Sequence, residues 1–193
     1  MSKIEFLPVE GFPGLYVLTP AVYEDDRGSF SEVFNLKDLE NAGLPFRFVQ
    51  VNQIFSRRGA LRGMHFQRRF PQAKLIRAVS GRVFDAVVDL RPGSPSFGKW
   101  FGVELSAENG KQLLIPRGFA HGCLTLSETS VCTYLCDDFY VPGDEGGFLW
   151  NDPAVGIRWP ELGAGETLQD GTPLIFSGKD RAWPPLERSM ELQ

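Results

Sequence analysis

The segment FRFVQVNQIF (residues 46–55) alternates along its whole length and decides the fold class. One face carries Phe46, Phe48, Gln50, Asn52 and Ile54, and the other face carries the residues between them. A period of two is that of a β-strand, whose successive side chains point to opposite sides of the sheet. We therefore predict a strand with one mostly apolar face that carries two neighbouring amides. Buried amides need hydrogen-bond partners, so this pair is either a structural clamp or a ligand contact.

The same alternation continues toward the C-terminus. We predict further strands at residues 73–79, 83–90, 100–105, 111–116, 123–126 and 130–137. Glycine, proline, serine and asparagine separate these segments at intervals of about 8–12 residues, which is typical of a β-sandwich or barrel. The first two segments are expected to form a hairpin through Ser80-Gly81-Arg82.

Helical signals are few. Asn35 followed by Asp38 resembles an N-cap with an acidic third residue, and predicts a short helix through Glu40. Ser177 and Asp180 form the same pattern near the C-terminus. The glycine-rich, acidic stretch at residues 162–173 is expected to be an exposed loop. The predicted fold is therefore all-β with a few short helices.

The composition is that of an ordinary globular protein, with 193 residues, 42% hydrophobic and 23% charged. This length predicts a single domain over residues 1–193. We recognise no signal peptide, and no apolar run reaches the ~18 residues of a membrane span. We therefore predict a cytoplasmic protein without a membrane partner. Its cysteines are odd in number and lack C-x-x-C spacing, so we expect buried, unreactive thiols at Cys123, Cys132 and Cys136.

The net charge of −4 conceals a strong asymmetry. Residues 41–84 contain nine lysines and arginines but no aspartate or glutamate. A local basic block inside an acidic chain predicts a site for an anionic ligand rather than affinity for nucleic acid. Within this block Arg62 and Lys74 are the candidates for that site, because both lie in strand-like segments.

The only two histidines, His65 and His121, lie in similar settings rich in glycine, arginine and aromatic residues. Imidazole is the side chain that changes charge nearest to neutral pH, so histidine is the first candidate for moving protons. We predict that the two histidines face one pocket and that at least one is a general base. In a regular strand Arg62 and His65 point to opposite faces, so a shared pocket predicts a bulge or twist near Gly63. A metal site is an alternative, although no H-x-H pair is present.

Eight blocks follow one another along nearly the whole chain. They are DRGSFSE (26–32), QVN (50–52), LRGMHFQ (61–67), QAKL (72–75), VDLRPGSPSFGKW (88–100), IPRGFAHG (115–122), WNDP (150–153) and SGKD (177–180). With these blocks the sequence resembles the dTDP-4-dehydrorhamnose 3,5-epimerases. The resemblance implies a cupin-type jelly roll (a double-stranded β-helix) with a short C-terminal helical extension. It also implies a homodimer in which N-terminal strands are exchanged.

The activity implied by the resemblance is the cofactor-independent inversion of C3 and C5 of dTDP-4-dehydro-6-deoxy-D-glucose, giving dTDP-4-dehydro-L-rhamnose. The resemblance makes His65 the base, Asp180 the carboxylate that orients it, Lys74 the cation at the C4 oxygen, and Tyr134 the acid. It further implies substrate contacts at Arg27, Phe30, Glu32, Gln50, Asn52, Arg62, His121, Tyr140, Glu145 and Lys179. A base and a nearby cation suit this reaction, because removal of a proton beside a ketone creates an enolate.

Several alternatives remain open at the level of sequence. A relative that inverts only C5 or only C3 would share the same base and acid. Two further alternatives are a non-catalytic barrel that binds a nucleotide sugar and a metal-dependent cupin. Asp180 is also the third residue of a capping box begun by Ser177. The facing of the predicted strands alone suggests that Asp85 orients His121.

Overall fold

A computed structural model of the chain describes residues 3–186. Within that range there are thirteen strands and two short helices. In chain order they are β1 (Ile4–Pro8), β2 (Tyr16–Pro20), β3 (Tyr23–Asp25), β4 (Gly28–Phe30), α1 (Leu36–Asn41), β5 (Gln50–Arg57), β6 (Leu61–Gln67), β7 (Lys74–Ser80), β8 (Arg82–Asp89), β9 (Trp100–Ser106), β10 (Gln112–Ile115), β11 (Phe119–Thr125), β12 (Thr129–Cys136), β13 (Glu145–Gly147) and α2 (Gly178–Ala182). The predicted all-β class is confirmed.

Two sheets form the body of the protein. One has six strands in the order β1-β2-β10-β7-β12-β5, and the other has five in the order β13-β6-β11-β8-β9. A buried cluster lies between them, with Ile76 and Leu113 from the first sheet and Val83 and Leu105 from the second. Two sheets that bury their inner faces against each other in this way form a jelly roll of the predicted cupin type.

Two further clusters cover the outer faces of the sheets. Trp150, Trp159 and Leu168 pack on the five-stranded sheet, where they meet Met64 and Phe66. Leu39 of α1 and other N-terminal side chains pack on the six-stranded sheet. The outer face of each large sheet is thereby partly covered, although β5 leaves Val51 and Phe55 exposed, and the polar groups that remain between the sheets require a specific explanation.

The strand predicted over residues 46–55 begins at Gln50 and continues to Arg57. Gln50, Asn52 and Ile54 are half-buried, whereas Val51 and Phe55 are exposed, so the predicted alternation of faces is confirmed. The predicted start was wrong, because the preceding aromatic residues pack on the outer side of the sheet before the strand begins. The strands predicted at 100–105, 111–116, 123–126 and 130–137 correspond to β9, β10, β11 and β12.

The predicted hairpin of residues 73–79 and 83–90 is wrong. β7 pairs with β10 and β12 in one sheet, whereas β8 pairs with β11 and β9 in the other. The chain changes sheets at Gly81, whose φ of 71° lies in the left-handed region that favours glycine. Ile76 and Val83 therefore meet across the core rather than side by side. Alternation identifies a strand but does not identify its neighbours.

The irregularity expected near Gly63 is present. β6 and β11 pair His65 with His121 and then Arg62 with Cys123, so β6 contains one extra residue between the two pairs. A Cβ atom on Gly63 would lie 2.7 Å from the backbone of Gly122, and the φ of Gly63 is 113°. Only glycine fits at this position. Because of the bulge, Arg62 and His65 both face the space between the sheets.

Both predicted helix caps are confirmed. The side chain of Asn35 accepts a hydrogen bond from the backbone of Lys37, and that of Ser177 accepts one from Asp180. The segment 162–173 is mostly exposed, as predicted, and is anchored by the buried Leu168. No helix within residues 3–186 is long and apolar enough to cross a membrane.

The three cysteines are free and buried, as predicted. Burial raises the pKa of Cys132 to about 12, and also raises the pKa values of Cys123 and Cys136. These thiols therefore stay protonated at neutral pH and are poor nucleophiles.

Candidate active site

A cleft opens between the two sheets and consists of two adjoining cavities. The inner cavity, of about 230 Å³, is lined by Ile54, Arg62, His65, Lys74, Ile76, His121, Gly122, Cys123, Tyr134, Ser177 and Asp180. The outer cavity, of about 270 Å³, is lined by Gln50, Asn52, His65, Phe66, Gln67, Gln72, Lys74, Tyr134, Tyr140 and Glu145. His65, Lys74 and Tyr134 border both cavities. The two cavities are therefore parts of one cleft that meet at these three side chains.

The three shared residues come from opposite walls. His65 lies on β6 of the five-stranded sheet, whereas Lys74 and Tyr134 lie on β7 and β12 of the six-stranded sheet. Tyr134 is paired with Ile76, two residues beyond Lys74 on the same face of β7. A ligand between the sheets therefore has an imidazole on one side and an ammonium and a phenol on the other.

His65 is bonded to a buried carboxylate. Its Nε2 lies 2.5 Å from Oδ1 of Asp180, while the Ser177 hydroxyl donates to Oδ2 of the same carboxylate at 2.7 Å. Burial opposes ionisation of Asp180, but the hydrogen bonds from His65 and Ser177 outweigh it, so its pKa is lowered. Asp180 therefore serves both roles considered above, because it belongs to the helix cap and also holds the histidine.

His121 forms a second pair of the same kind. Its Nε2 lies 3.0 Å from each carboxylate oxygen of Asp85, a fully buried residue of β8. His121 is opposite His65 in the register of β11 and β6. The cleft thus contains two histidine–carboxylate pairs side by side. Within residues 3–186 no group of three or more histidine, cysteine, aspartate or glutamate side chains is placed to hold a metal ion.

Lys74 and Tyr134 have electrostatic surroundings that differ from bulk water. Burial lowers the pKa of Lys74, and the nearby Asp85 carboxylate is among the groups that partly oppose this effect. Burial also raises the pKa of Tyr134, so its phenol keeps its proton at neutral pH. The six-stranded wall therefore offers a cation of reduced pKa beside a neutral proton donor.

The outer cavity is rich in amides. Gln50 donates to Oδ1 of Asn52 at 3.0 Å and accepts from the backbone N–H of Tyr140 at 3.2 Å. This predicted amide pair is therefore a clamp that also borders the cavity. Glu145 forms an ion pair with Lys179, and the ammonium of Lys179 lies 5.4 Å from the ring centre of Trp183.

Three of the predicted substrate contacts do not line the cleft within one chain. Arg27 and Phe30 are exposed on the β3–β4 hairpin, where Arg27 pairs with Asp25 at 2.5 Å. Glu32 pairs with Lys3 and accepts a hydrogen bond from Asn35. The other predicted site residues border the cleft or, like Lys179, pair with a residue that does.

Comparison with known proteins gives a match over nearly the whole chain. A family model described as dTDP-4-dehydrorhamnose 3,5-epimerase matches residues 10–188. The chain belongs to this family. It is 44% identical over 189 residues to the dTDP-4-dehydrorhamnose 3,5-epimerase of Methanothermobacter thermautotrophicus, covering 98% of each protein. It is 49% identical over 170 residues to that of Pseudomonas aeruginosa, covering 88% of this chain and 89% of the relative.

A solved structure of the epimerase family has the same architecture. The dTDP-6-deoxy-D-glucose-3,5-epimerase of Legionella pneumophila Philadelphia 1, in complex with dTDP-4-keto-L-rhamnose, has a TM-score of 0.88 and is 38% identical. The match covers 98% of each chain. The fold and the family are therefore the same in both proteins.

Sequence reasoning missed two glutamines in this epimerase-family cleft. Gln67 is buried, donates to the carbonyl of Phe70 at 2.7 Å and accepts from the backbone N–H of Val141 at 2.9 Å. Gln72 donates to the carbonyl of Asp138 at 2.6 Å. Together they fix the loop that carries Tyr140. For Gln67 the signal was present, because it lies two residues beyond His65 and so shares its face.

Proposed function

We propose that this chain catalyses the 3,5-epimerisation of dTDP-4-dehydro-6-deoxy-D-glucose to dTDP-4-dehydro-L-rhamnose. The observation that carries the proposal is the placement of His65 opposite Tyr134 and Lys74 across the cleft. Relatives 44% and 49% identical are named for this activity, and the similar Legionella structure holds dTDP-4-keto-L-rhamnose. No step of the proposed reaction requires a cofactor.

His65 acts as the base in this proposal. Asp180 accepts the Nε2–H of His65, which leaves Nδ1 as the unprotonated ring nitrogen. Nδ1 takes the proton from C5, and the electrons of the C–H bond form the C4–C5 double bond of an enolate. The negative charge develops on the C4 oxygen, while the Asp180 carboxylate stabilises the imidazolium.

The opposite wall completes the inversion. Lys74 donates a hydrogen bond to the C4 oxygen and stabilises the enolate as its charge develops. Tyr134 then gives its proton to the other face of C5, the ketone re-forms, and the configuration is inverted. Exchange with solvent then removes the proton from His65 and returns one to Tyr134, and the same sequence at C3 completes the second inversion. Because burial keeps the phenol protonated, Tyr134 is ready to act as the acid at neutral pH.

The remaining predicted residues are assigned to substrate binding. Arg62, His121, Gln50, Asn52, Glu145 and Lys179 are proposed contacts to the sugar, the diphosphate and the nucleoside. Tyr140 is half exposed at the outer cavity, and stacking on the thymine base is the role proposed for it. Three free, buried thiols suit a reducing compartment, which supports a cytoplasmic location.

A homodimer is proposed to supply Arg27, Phe30 and Glu32 from a second copy of the chain. β5 is the last strand of its sheet and exposes Val51 and Phe55, a combination that favours pairing with another chain. The β3–β4 hairpin is also fully exposed. Mixing inactive Arg27→Ala and His65→Ala proteins tests this arrangement. Restored activity supports a shared site, and no recovery despite subunit exchange contradicts it.

The function is tested by NMR of dTDP-4-dehydro-6-deoxy-D-glucose with the protein in heavy water. Deuterium at both C3 and C5, with formation of the L-rhamno product, is the expected result. Incorporation at one carbon only would identify a single-site epimerase. Tight binding without incorporation would contradict catalysis. For Tyr134→Phe we expect that the substrate still exchanges protons for deuterium but is no longer inverted, because the variant keeps the base and lacks the acid.

A further inference from the structure

Asp85 is a fully buried carboxylate that the proposed reaction does not use. It lies on β8, and His121 is its hydrogen-bond partner, with both of its oxygens 3.0 Å from Nε2. Among the hydrogen bonds of residues 3–186, Asp85 has no other side-chain partner. The Lys74 ammonium acts on Asp85 only through its charge. A buried carboxylate with a single hydrogen-bond partner is costly, so it needs an explanation beyond packing.

Asp89 provides the contrast on the same strand. It lies four residues further along the same face of β8 and is equally buried. Arg91 binds it through two side-chain nitrogens and the backbone N–H, and the hydroxyls of Ser94 and Ser96 also donate to it. Asp89 is thus saturated by donors that organise a loop. Asp85 instead has one partner, and that partner borders the cleft.

The bond to Asp85 determines which nitrogen of His121 remains available. An ionised carboxylate only accepts, so Nε2 of His121 must carry a proton. In the neutral ring Nδ1 is then a hydrogen-bond acceptor, and it has no partner among the described residues. Such a nitrogen suits a hydroxyl group rather than a phosphate, since a phosphate is itself an acceptor.

We propose that Asp85 is a positioning residue that holds His121 in the Nε2–H tautomer, so that Nδ1 accepts a hydrogen bond from a ring hydroxyl of the bound hexose. The inference rests on the proposed function and deepens it. The two pairs then have different roles. His65 removes the proton, and His121 holds the hexose ring so that the reacting carbon faces His65. In this arrangement His121 contacts the sugar rather than the diphosphate.

The first test uses the unaltered protein and requires no turnover. The chain has only two histidines, so long-range ¹H–¹⁵N correlation spectra contain two imidazoles, and His65→Asn assigns them. We expect neutral His121 to be the Nε2–H tautomer. A neutral His121 protonated at Nδ1 would overturn the proposal even if an Asp85 variant did not fold.

The second test separates sugar recognition from nucleotide recognition. In Asp85→Asn the amide can donate to Nε2, which favours the opposite tautomer. We expect KM for the dTDP-sugar to rise about tenfold, the scale of one well-placed hydrogen bond. The dissociation constant of dTDP alone should change less than about twofold, since dTDP has no hexose. A parallel loss of dTDP affinity, or an unchanged tautomer, would contradict the proposal.

Asp89→Asn is the matched control. It removes an equally buried carboxylate from the same face of the same strand. We expect lower stability with unchanged KM and an unchanged His121 spectrum. An equal rise in KM for this control would mean that any disturbance of β8 produces the effect.

Failure of the proposed function would be recognised separately. If the unaltered protein failed to exchange the C3 and C5 protons, the proposed function would be wrong, whereas the tautomer of His121 would still be measured.

Discussion

The two histidine–carboxylate pairs of the cleft are assembled in different ways. His121 and Asp85 lie on the neighbouring strands β11 and β8 of one sheet, so the hydrogen-bond ladder of that sheet sets their geometry. His65 lies on β6, but Asp180 arrives on α2, 115 residues further along the chain. The His121–Asp85 pair is therefore part of one sheet, whereas the His65–Asp180 pair depends on how a separate C-terminal segment docks.

That segment docks through apolar packing by Leu168 and Leu174 and through polar contacts with the body of the protein. Ile175 exchanges backbone hydrogen bonds of 2.9 Å with Gly59 and Leu61, just before β6 continues to His65. Glu161 bridges Arg58 and Arg82 at 3.0 Å each. The carboxylate partner of the proposed base therefore depends on long-range contacts, whereas that of His121 lies on a neighbouring strand.

The largest effect is expected from removing the histidines themselves. His65→Ala should lower kcat by about 10²–10⁴-fold, the usual contribution of a general base, and suppress deuterium exchange at C3 and C5. His121→Ala should mainly raise KM, because this histidine is proposed to bind the sugar. Steady-state kinetics and NMR exchange on both variants test the difference. An equal loss of deuterium exchange in the two variants would contradict the assignment of His65 as the base and His121 as a binding residue.

Some of this arrangement could be read from the sequence and some could not. The bulge at Gly63 followed from requiring Arg62 and His65 to share a pocket, because strand geometry is local. The separation of β7 and β8 into different sheets did not follow, since alternation reports burial and not the partner strand. Nothing in the spacing of residues placed Asp180 beside His65. Only the resemblance of the SGKD block suggested that pairing, because such long-range contacts depend on the complete fold.

A smaller effect is expected from Asp180→Asn. The amide loses the charge that stabilises the imidazolium, and its N–H can donate to Nε2, which favours the tautomer with a proton on Nδ1, so kcat should fall by about 10²-fold, the lower end of the contribution of a general base. KM should change little. Asp180→Glu, which restores the charge, should recover part of the rate. A change confined to KM would contradict the orienting role.

The same substitution has a signature in the pH dependence of stability. Because the pKa of Asp180 is lowered in the folded protein, its carboxylate contributes stability above the ordinary pKa of about 3.9. That contribution is lost as the pH falls through the lower folded pKa. The difference in unfolding free energy between wild type and Asp180→Asn should therefore shrink as the pH falls below about 4. Denaturant unfolding as a function of pH measures it.

The smallest effect is expected from loosening the segment at a distance. Glu161→Gln removes both ion pairs with Arg58 and Arg82, which are partly exposed, so the loss of stability should be about 0.5–1 kcal/mol and should diminish in high salt. Because the segment also carries Asp180, kcat should fall about two- to threefold while dTDP affinity stays constant.

Glu166→Gln is the control for this last change, because its partner Arg181 is half exposed and their ion pair does not bridge the segment to the sheets. We expect wild-type kcat for it. If Glu161→Gln lowered stability but left kcat unchanged, the segment would hold Asp180 through its backbone bonds and the Ser177 cap alone. The two pairs would then be equally secure, and the difference between them would lie only in which one removes the proton.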